Sequence, residues 1–342
     1  MQPWPCRLAG RLDKLTITSG LLRANPLSDP YDRPLWVYLP LGYDDGADRF
    51  PSVYMLHGYG GSVASWENRP VYGRPFLELA DQAFASGRAE PAVVVFVDGW
   101  TRYGGSQYID SAGTGQYLSY LCDEIVPYVD GVYRTMAARD HRAVIGKSSG
   151  GFGALVAAML RPDVFGGCAS HAGDALYESL YLPWMPRIVR ALGGYDGDIM
   201  VWWRDFQERM PDVSPDERAL ELALGVSACF SPGTDGVPQL PVDTATGEIR
   251  EDIWRKWLAW DPVRMIPDHA EQLRSLRGIW IDAGSADEFF LDLGAKALRR
   301  ALLEIGPPDA PLHFDIVQGA DHEAIGRRQI SSLCWLTGKL RH

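Results

Sequence analysis

The chain has 342 residues, of which 46% are hydrophobic and 23% charged, and its net charge is −11. That hydrophobic share is ample for a large buried core, as one big domain or two ordinary ones, and the charged share argues against long disordered stretches. The acidic balance repels phosphate backbones and anionic lipid, so neither nucleic acid nor a membrane surface is an expected partner.

In chain order, residues 13–19 (DKLTITS) alternate in polarity and 35–39 (LWVYL) form an apolar run ended by Pro40. Both predict strands, joined by the turn-rich LSDPYDRP. The stretches 52–56 (SVYML), 92–97 (AVVVFV) and 142–146 (RAVIG) are short and apolar on both faces, as buried parallel strands are. Helices are predicted between them at 75–86 and 115–129, the second bent or shortened by Pro127. GGFGALVAAML, after Ser148, is apolar nearly all round and predicts an internal helix. Strands at 277–282 and 312–317 and helices at 290–304 and 326–340 complete an alternation that predicts a mostly parallel sheet with helices on both faces.

Residues 176–262 break this rhythm. Ser214-Pro215-Asp216-Glu217 opens a helix with a capping box, which Gly225 is placed to close. A second helix spans about 250–260, with Ile253, Trp254, Trp257 and Leu258 on one face and Pro262 beyond it. Six of the twelve tryptophans lie in this region: Trp184, Trp202, Trp203, Trp254, Trp257 and Trp260. The expectation is a helical, Trp-rich cap over 176–262, inserted into a core made of 1–175 and 263–342.

The five cysteines (Cys6, Cys122, Cys168, Cys229 and Cys334) form no CxxC pair and are odd in number. Buried free thiols are expected, not a disulfide framework or a zinc site, and no metal or organic cofactor is called for. MQPWPCRLAG has no basic stretch ahead of an apolar run, and no run nears the ~20 residues of a membrane span, so a soluble cytoplasmic protein is expected. A homodimer is left open.

The strongest local signal is Gly146-Lys147-Ser148-Ser149-Gly150, a GxSxG match between a predicted strand and an apolar helix. In that context the serine sits on a strained turn, and side chains two residues before and after it would collide, hence the glycines. The helix N-terminus points partial positive charge at the site. Centring the turn on Ser149 would put Lys147 where a small residue is needed, so Ser148 is the expected nucleophile. Upstream, strand 52–56 runs into His57-Gly58-Tyr59-Gly60-Gly61. Glycines let backbone approach a substrate carbonyl, and the expected oxyanion donors are the amides of Tyr59 and Ser149. His57 is expected to fix the loop and not to act as base.

A serine hydroxyl needs a base, and the base needs a carboxylate that fixes its tautomer. With the serine on such a turn, the partners follow in the order Ser, Asp or Glu, His. His57 and His141 precede Ser148, His342 is terminal, and His313 lies inside a strand. His322 sits in VQGADHEAIG, directly after a strand, and is the expected base. Asp287, in the loop beyond GIWID, is the expected acid, with Asp282 at the strand end as its competitor. Asp321 adjoins His322 and would face away from it, and His171 is a reserve base in the wrong chain order.

These motifs together resemble the putative-esterase branch of the α/β-hydrolases, the group that includes S-formylglutathione hydrolase, enterochelin esterases, feruloyl-type carbohydrate esterases and mycolyltransferases. RPLWVYLPLGYDDGADRFPSVYMLHGYGG, GTGQYLSYLCDEIVPYVDGVYRT, GKSSGGFGA, DAGSADEFF and GADH carry the resemblance, which covers most of the chain except 176–262. It implies the α/β-hydrolase fold, the triad Ser148, Asp287 and His322, and oxyanion amides at Tyr59 and Ser149. Two departures stand out: Ser149 occupies a position that is often Met, and the Trp-rich insertion is long.

The implied reaction is two-step acyl transfer on a modest-sized, perhaps aromatic, carboxylic ester. An acyltransferase passing the acyl group to an alcohol is the alternative, and a non-catalytic binding protein on the same scaffold the remote one. VDGWTRYGGSQYIDS (97–111) follows a core strand, and Trp100, Tyr103 and Tyr108, with Gly58 and the insertion's Trp203, are the expected substrate contacts.

Overall fold

The computed structural model describes residues 5–71, 73–209, 214–306, 311–323 and 325–341. Eight strands form one sheet: β1 (Arg11–Thr18), β2 (Asp32–Leu39), β3 (Ser52–Leu56), β4 (Val93–Val97), β5 (Arg142–Lys147), β6 (Gly167–His171), β7 (Gly278–Gly284) and β8 (Leu312–Val317). Their order across the sheet is β1-β2-β4-β3-β5-β6-β7-β8. β2 runs antiparallel to β1 and β4, and all other neighbours are parallel. This is the mostly parallel sheet expected from the strand–helix alternation, and it agrees with the α/β-hydrolase fold that the resemblance implies.

Strands β3 and β4 are buried at every position, which is why they read as unbroken apolar runs. Within β3 the faces still alternate. Tyr54 and Leu56 enter one core, and Val53 and Met55 the other. The second core is closed by α1 (Phe76–Ala85) and α8 (Gly326–Leu340), and the first by α7 (Leu291–Glu304) and by α2 (Ser149–Leu160), which is buried almost throughout. Leu56 is in register with both Val97 and Gly146, so the loops that leave β3, β4 and β5 emerge at one edge of the sheet.

Pro127 does not stop its helix. Helical geometry runs from Tyr117–Ser119 through a π-helical stretch, Tyr120–Ile125, into Val126–Val132. The wider turn just before Pro127 makes room where the ring would otherwise strike the preceding turn's carbonyl.

Between β6 and β7 the chain is helical, with α3 (Met185–Leu192), α4 (Ile199–Arg209), α5 (Pro215–Phe230) and α6 (Glu251–Leu258) as its longer elements. The capping box at Ser214 is present: its hydroxyl accepts from Glu217 N at 3.2 Å and Glu217 Oε2 accepts from Ser214 N at 3.0 Å. Gly225, however, does not end α5, which continues to Phe230. A Cβ there would lie 2.5 Å from Tyr103 O and 2.7 Å from Tyr59 Cε2, so this glycine serves close approach instead of a helix stop. Trp202, Trp254 and Trp257 are buried and join the same apolar cluster as Tyr54 and Leu56 of the sheet. Of the cysteines, Cys122, Cys168 and Cys229 are buried, Cys334 is partly buried and Cys6 is exposed, and all are free thiols. Among the described residues no helix is long and apolar enough to cross a membrane.

Candidate active site

Ser148 stands between β5 and α2 with φ 53° and ψ −125°, a conformation that non-glycine residues rarely adopt. It is held there by its own amide, which donates to His171 O at 2.9 Å, and by its carbonyl, which accepts from Phe152 N at 2.9 Å. The flanking glycines are obligatory. A Cβ on Gly146 would meet Gly150 O at 2.0 Å, and one on Gly150 would meet Leu56 O at 2.4 Å and His57 O at 2.5 Å. The strained turn therefore exists because three backbone segments cross where two side chains are missing.

His322 and Asp287 lie in the loops after β8 and β7. A Cβ on Gly284 would come within 2.1 Å of Ala320 O, so the bare end of β7 lets the β8 loop cross it. That crossing brings the His322 ring to the Asp287 carboxylate, with Nδ1 2.9 Å from Oδ2 and both residues buried. Asp287 Oδ1 also accepts from Phe289 N at 2.9 Å, and the Phe289 ring stands edge-on to the imidazole at 4.9 Å. Nδ1–H is thus spent on the carboxylate, which leaves Nε2 as the free lone pair. Ser148 and His322 line the same cavity. Among the described residues no hydrogen bond joins the hydroxyl to the ring; catalytic bonds of this kind commonly tighten only when substrate binds.

Asp282 has a different partner. Its Oδ2 takes His171 Nδ1–H at 2.7 Å and Trp280 Nε1–H at 2.7 Å, and its Oδ1 takes Arg328 at 2.9 Å. Burial by itself would raise this carboxyl, but His171, Arg328 and Trp280 outweigh it and hold it below its ordinary range. His57 is tied on both sides. Gly99 N donates to its Nε2 at 3.0 Å, so the proton sits on Nδ1 and goes to Gly58 O at 2.9 Å. Burial lowers its pKa, and the ring stays neutral as a loop brace.

Tyr59 lies in the loop after β3, and Ser149 is the first residue of α2. Among the described residues neither backbone amide has an acceptor. Ser149 adjoins Ser148 in the chain, and Tyr59 lines the same cavity as Ser148.

The cavity that holds Ser148 and His322 has a volume of about 470 Å³ and is lined by residues from the sheet edge and from α3 and α5. Gly58 lines it. Trp100, Tyr103 and Trp203 instead line a second hollow of about 360 Å³, which shares Tyr59 and Arg218 with the first. Tyr108 lines neither. It is buried, donates to His57 O at 3.0 Å, and packs where Gly99 and Gly153 have no side chains. The aromatic wall of the cavity is Trp184 stacked on Phe289, with centroids 5.6 Å apart and planes at 23°.

Asp174, in the loop after β6, also lines the cavity and was not singled out from sequence. Tyr181 Oη donates to its Oδ2 at 3.1 Å and Gln107 Nε2 to the same oxygen at 3.4 Å. Burial raises its pKa to about 6, against the opposing pull of His322. The available signal was its place directly after a parallel strand, at the edge where such sheets bind ligands. Lys147 and Glu323 pair at 3.3 Å on the cavity's rim.

The family model described as Putative esterase matches residues 30–304. The chain belongs to the putative esterase family. The chain is 33% identical over 134 residues to an endo-1,4-beta-xylanase/feruloyl esterase of Xylanibacter ruminicola, a match covering 38% of this chain and 18% of that protein. The chain therefore spans well under two thirds of that relative's length. Among solved structures it resembles a ferulic acid esterase, with TM-score 0.64 and 19% identity, covering 98% of this chain and all (100%) of the other. It also resembles an S-formylglutathione hydrolase of Agrobacterium tumefaciens, with TM-score 0.59 and 19% identity, covering 98% of each chain. Both likenesses establish the α/β-hydrolase fold.

Proposed function

We propose that this protein is a serine carboxylic-ester hydrolase that works through an acyl-enzyme on Ser148. The observation that carries the reading is the His322–Asp287 bond of 2.9 Å beside a cavity that also contains a serine at φ 53°. Ser148 Oγ attacks the ester carbonyl carbon while its proton passes to His322 Nε2. Negative charge on the carbonyl oxygen is held by the amides of Tyr59 and Ser149. The carbon–oxygen bond to the alcohol breaks, and His322 returns the proton to the leaving oxygen. Water then attacks the acyl-enzyme, giving its proton to His322, and the acid departs with Ser148 restored.

The Trp184–Phe289 wall supports an ester with a planar, aromatic portion. Asp174 adds one polar anchor to that wall. The segment 176–262 supplies Trp184 and Arg187 from α3 and its approach, and Arg218 and Leu222 from α5. It acts as a cap whose helices shape the substrate site. The test is covalent. A fluorophosphonate should add to the peptide that contains Ser148, labelling should vanish in Ser148→Ala, and ester turnover should vanish with it. Labelling at another residue, or none in the native protein, defeats the reading.

A further inference from the structure

The Tyr59 side chain is more tightly held than the use of its amide requires. Its ring lies in a slot made by three glycines. A Cβ on Gly104 would sit 2.3 Å from Tyr59 Cζ, one on Gly225 would sit 2.7 Å from Cε2, and one on Gly105 would sit 3.3 Å from Cδ2. At the end of the slot the hydroxyl is bracketed by two carbonyls, Tyr103 O at 2.5 Å and Glu221 O at 2.6 Å. Burial pushes the phenol well above its ordinary pKa, so it keeps its proton and remains a donor.

The second carbonyl belongs to α5. Gly225 is four residues beyond Glu221, on the same helix face, and its missing side chain opens that carbonyl to a group from outside the helix. A helical carbonyl already bonded within its helix still has a lone pair to offer. The loop has one further tie in the same place, Gly60 N to Gly104 O at 2.8 Å. The Tyr59 hydroxyl, its one proton shared between the two carbonyls, thus joins the oxyanion loop to α5 as well as to the loop after β4, which Gly60 N also holds. α5 also presents Arg218 and Leu222 to the cavity.

We propose that the Tyr59 phenol is a positioning residue: it fixes the Tyr59 amide in its oxyanion-binding place by anchoring it to α5, so that the helix contacting substrate also sets the oxyanion hole. This rests on the reading of Ser148 as nucleophile and of the Tyr59 amide as oxyanion donor. The anchor acts on the transition state, where charge reaches the carbonyl oxygen, and not on ground-state binding.

Tyr59→Phe tests this, because it keeps the ring in its slot and removes only the hydroxyl. Losing an oxyanion donor outright typically costs about 10²–10³ in kcat, so loosening one should cost about tenfold, with KM within about twofold of wild type. An alkylboronic acid, whose tetrahedral adduct on Ser148 places an oxygen in the oxyanion hole, should bind about tenfold more weakly, whereas inhibition by the product acid should not change. Gly225→Ala, which crowds the ring and Tyr103 O, should reproduce the effect, and the double variant should be no worse than the poorer single one. Wild-type kcat and boronate affinity in Tyr59→Phe overturn the inference. So does a fall in kcat with boronate affinity intact, which marks a merely structural role. Ser148→Ala run in parallel separates the two levels. If it retains turnover, the catalytic reading falls and takes this inference with it. If it is dead while Tyr59→Phe behaves as wild type, this inference alone falls.

Discussion

The molecule contains two places where a serine, a histidine and an aspartate come together. In one, His171 lies between Asp282 at 2.7 Å and Ser332 Oγ at 2.8 Å, and all three residues are sealed, at 0%, 1% and 0% exposure for His171, Asp282 and Ser332. In the other, His322 is bonded to Asp287 and shares a cavity with Ser148. By residue type and hydrogen bonding the sealed row is the more complete triad. It has no room for a substrate, no unspent amides beside its serine and no strained turn, because Ser332 lies inside α8. Three side chains in sequence of contact are therefore not a catalytic device. In the proposed mechanism, access, a lone pair left free on the imidazole and donors for an oxyanion make the difference.

The largest expected contrast is between the serines. Ser148→Ala should reduce ester turnover by about 10⁴–10⁶, measured under saturating substrate. Ser332→Ala should leave kcat within about twofold and appear only as a lower denaturation midpoint, of order 1–3 kcal/mol. Equal losses of turnover would erase the distinction.

The aspartates come next. Asp287→Asn should lower kcat by about 10⁴, because the amide favours the wrong imidazole tautomer. Asp282→Asn should act mainly on stability, by about 3–5 kcal/mol, since it leaves the buried Arg328 and His171 without their anion. Urea denaturation beside steady-state kinetics separates the two, and the reverse ranking in kcat would move the acid to Asp282.

The two regions should also differ in the sign of their pH dependence. Asp282 is held below its unfolded pKa, so its contribution is present above the ordinary carboxylate range and is lost as pH falls through its folded value. Asp174 is raised to about 6. The folded state binds its proton more tightly than the unfolded chain, so this group costs stability at neutral pH, and the cost disappears as pH falls from above 6 towards 4. Asp174→Asn should therefore stabilise the protein at pH 8, by up to about 3 kcal/mol, with the gain fading by pH 4. Denaturation midpoints of the variant and wild type across that range check it, and a gain independent of pH would contradict the assignment.

The smallest effect concerns the cavity wall. Trp184→Ala should raise KM for an aryl ester about five- to tenfold and leave a short aliphatic ester nearly unchanged. Equal changes for both would mean that the Trp184–Phe289 stack does not recognise a ring.

Residue type and spacing alone made legible the sheet, the GxSxG turn at Ser148 and the proposed acid and base that follow it in the chain. Strands 52–56 and 312–317 were legible to the residue: the first is buried on both faces and so is apolar at each position, and the second, a half-buried edge strand, stands between turn-rich segments that mark its ends. The turn at Ser148 was legible because its glycines are demanded by atoms within a few residues of one another and by the strand beside it. Matters of reach, by contrast, came only from packing. Asp287, not Asp282, meets His322 because the β8 loop crosses β7 at Gly284. Gly225 makes room for Tyr59 instead of ending α5, and the cavity wall is Trp184 and Phe289, not Trp100, Tyr103 and Trp203. Each depends on where one loop or helix comes to rest against another that is far away in the chain. Residue type and local spacing limit the candidates for such contacts, but only packing chooses among them.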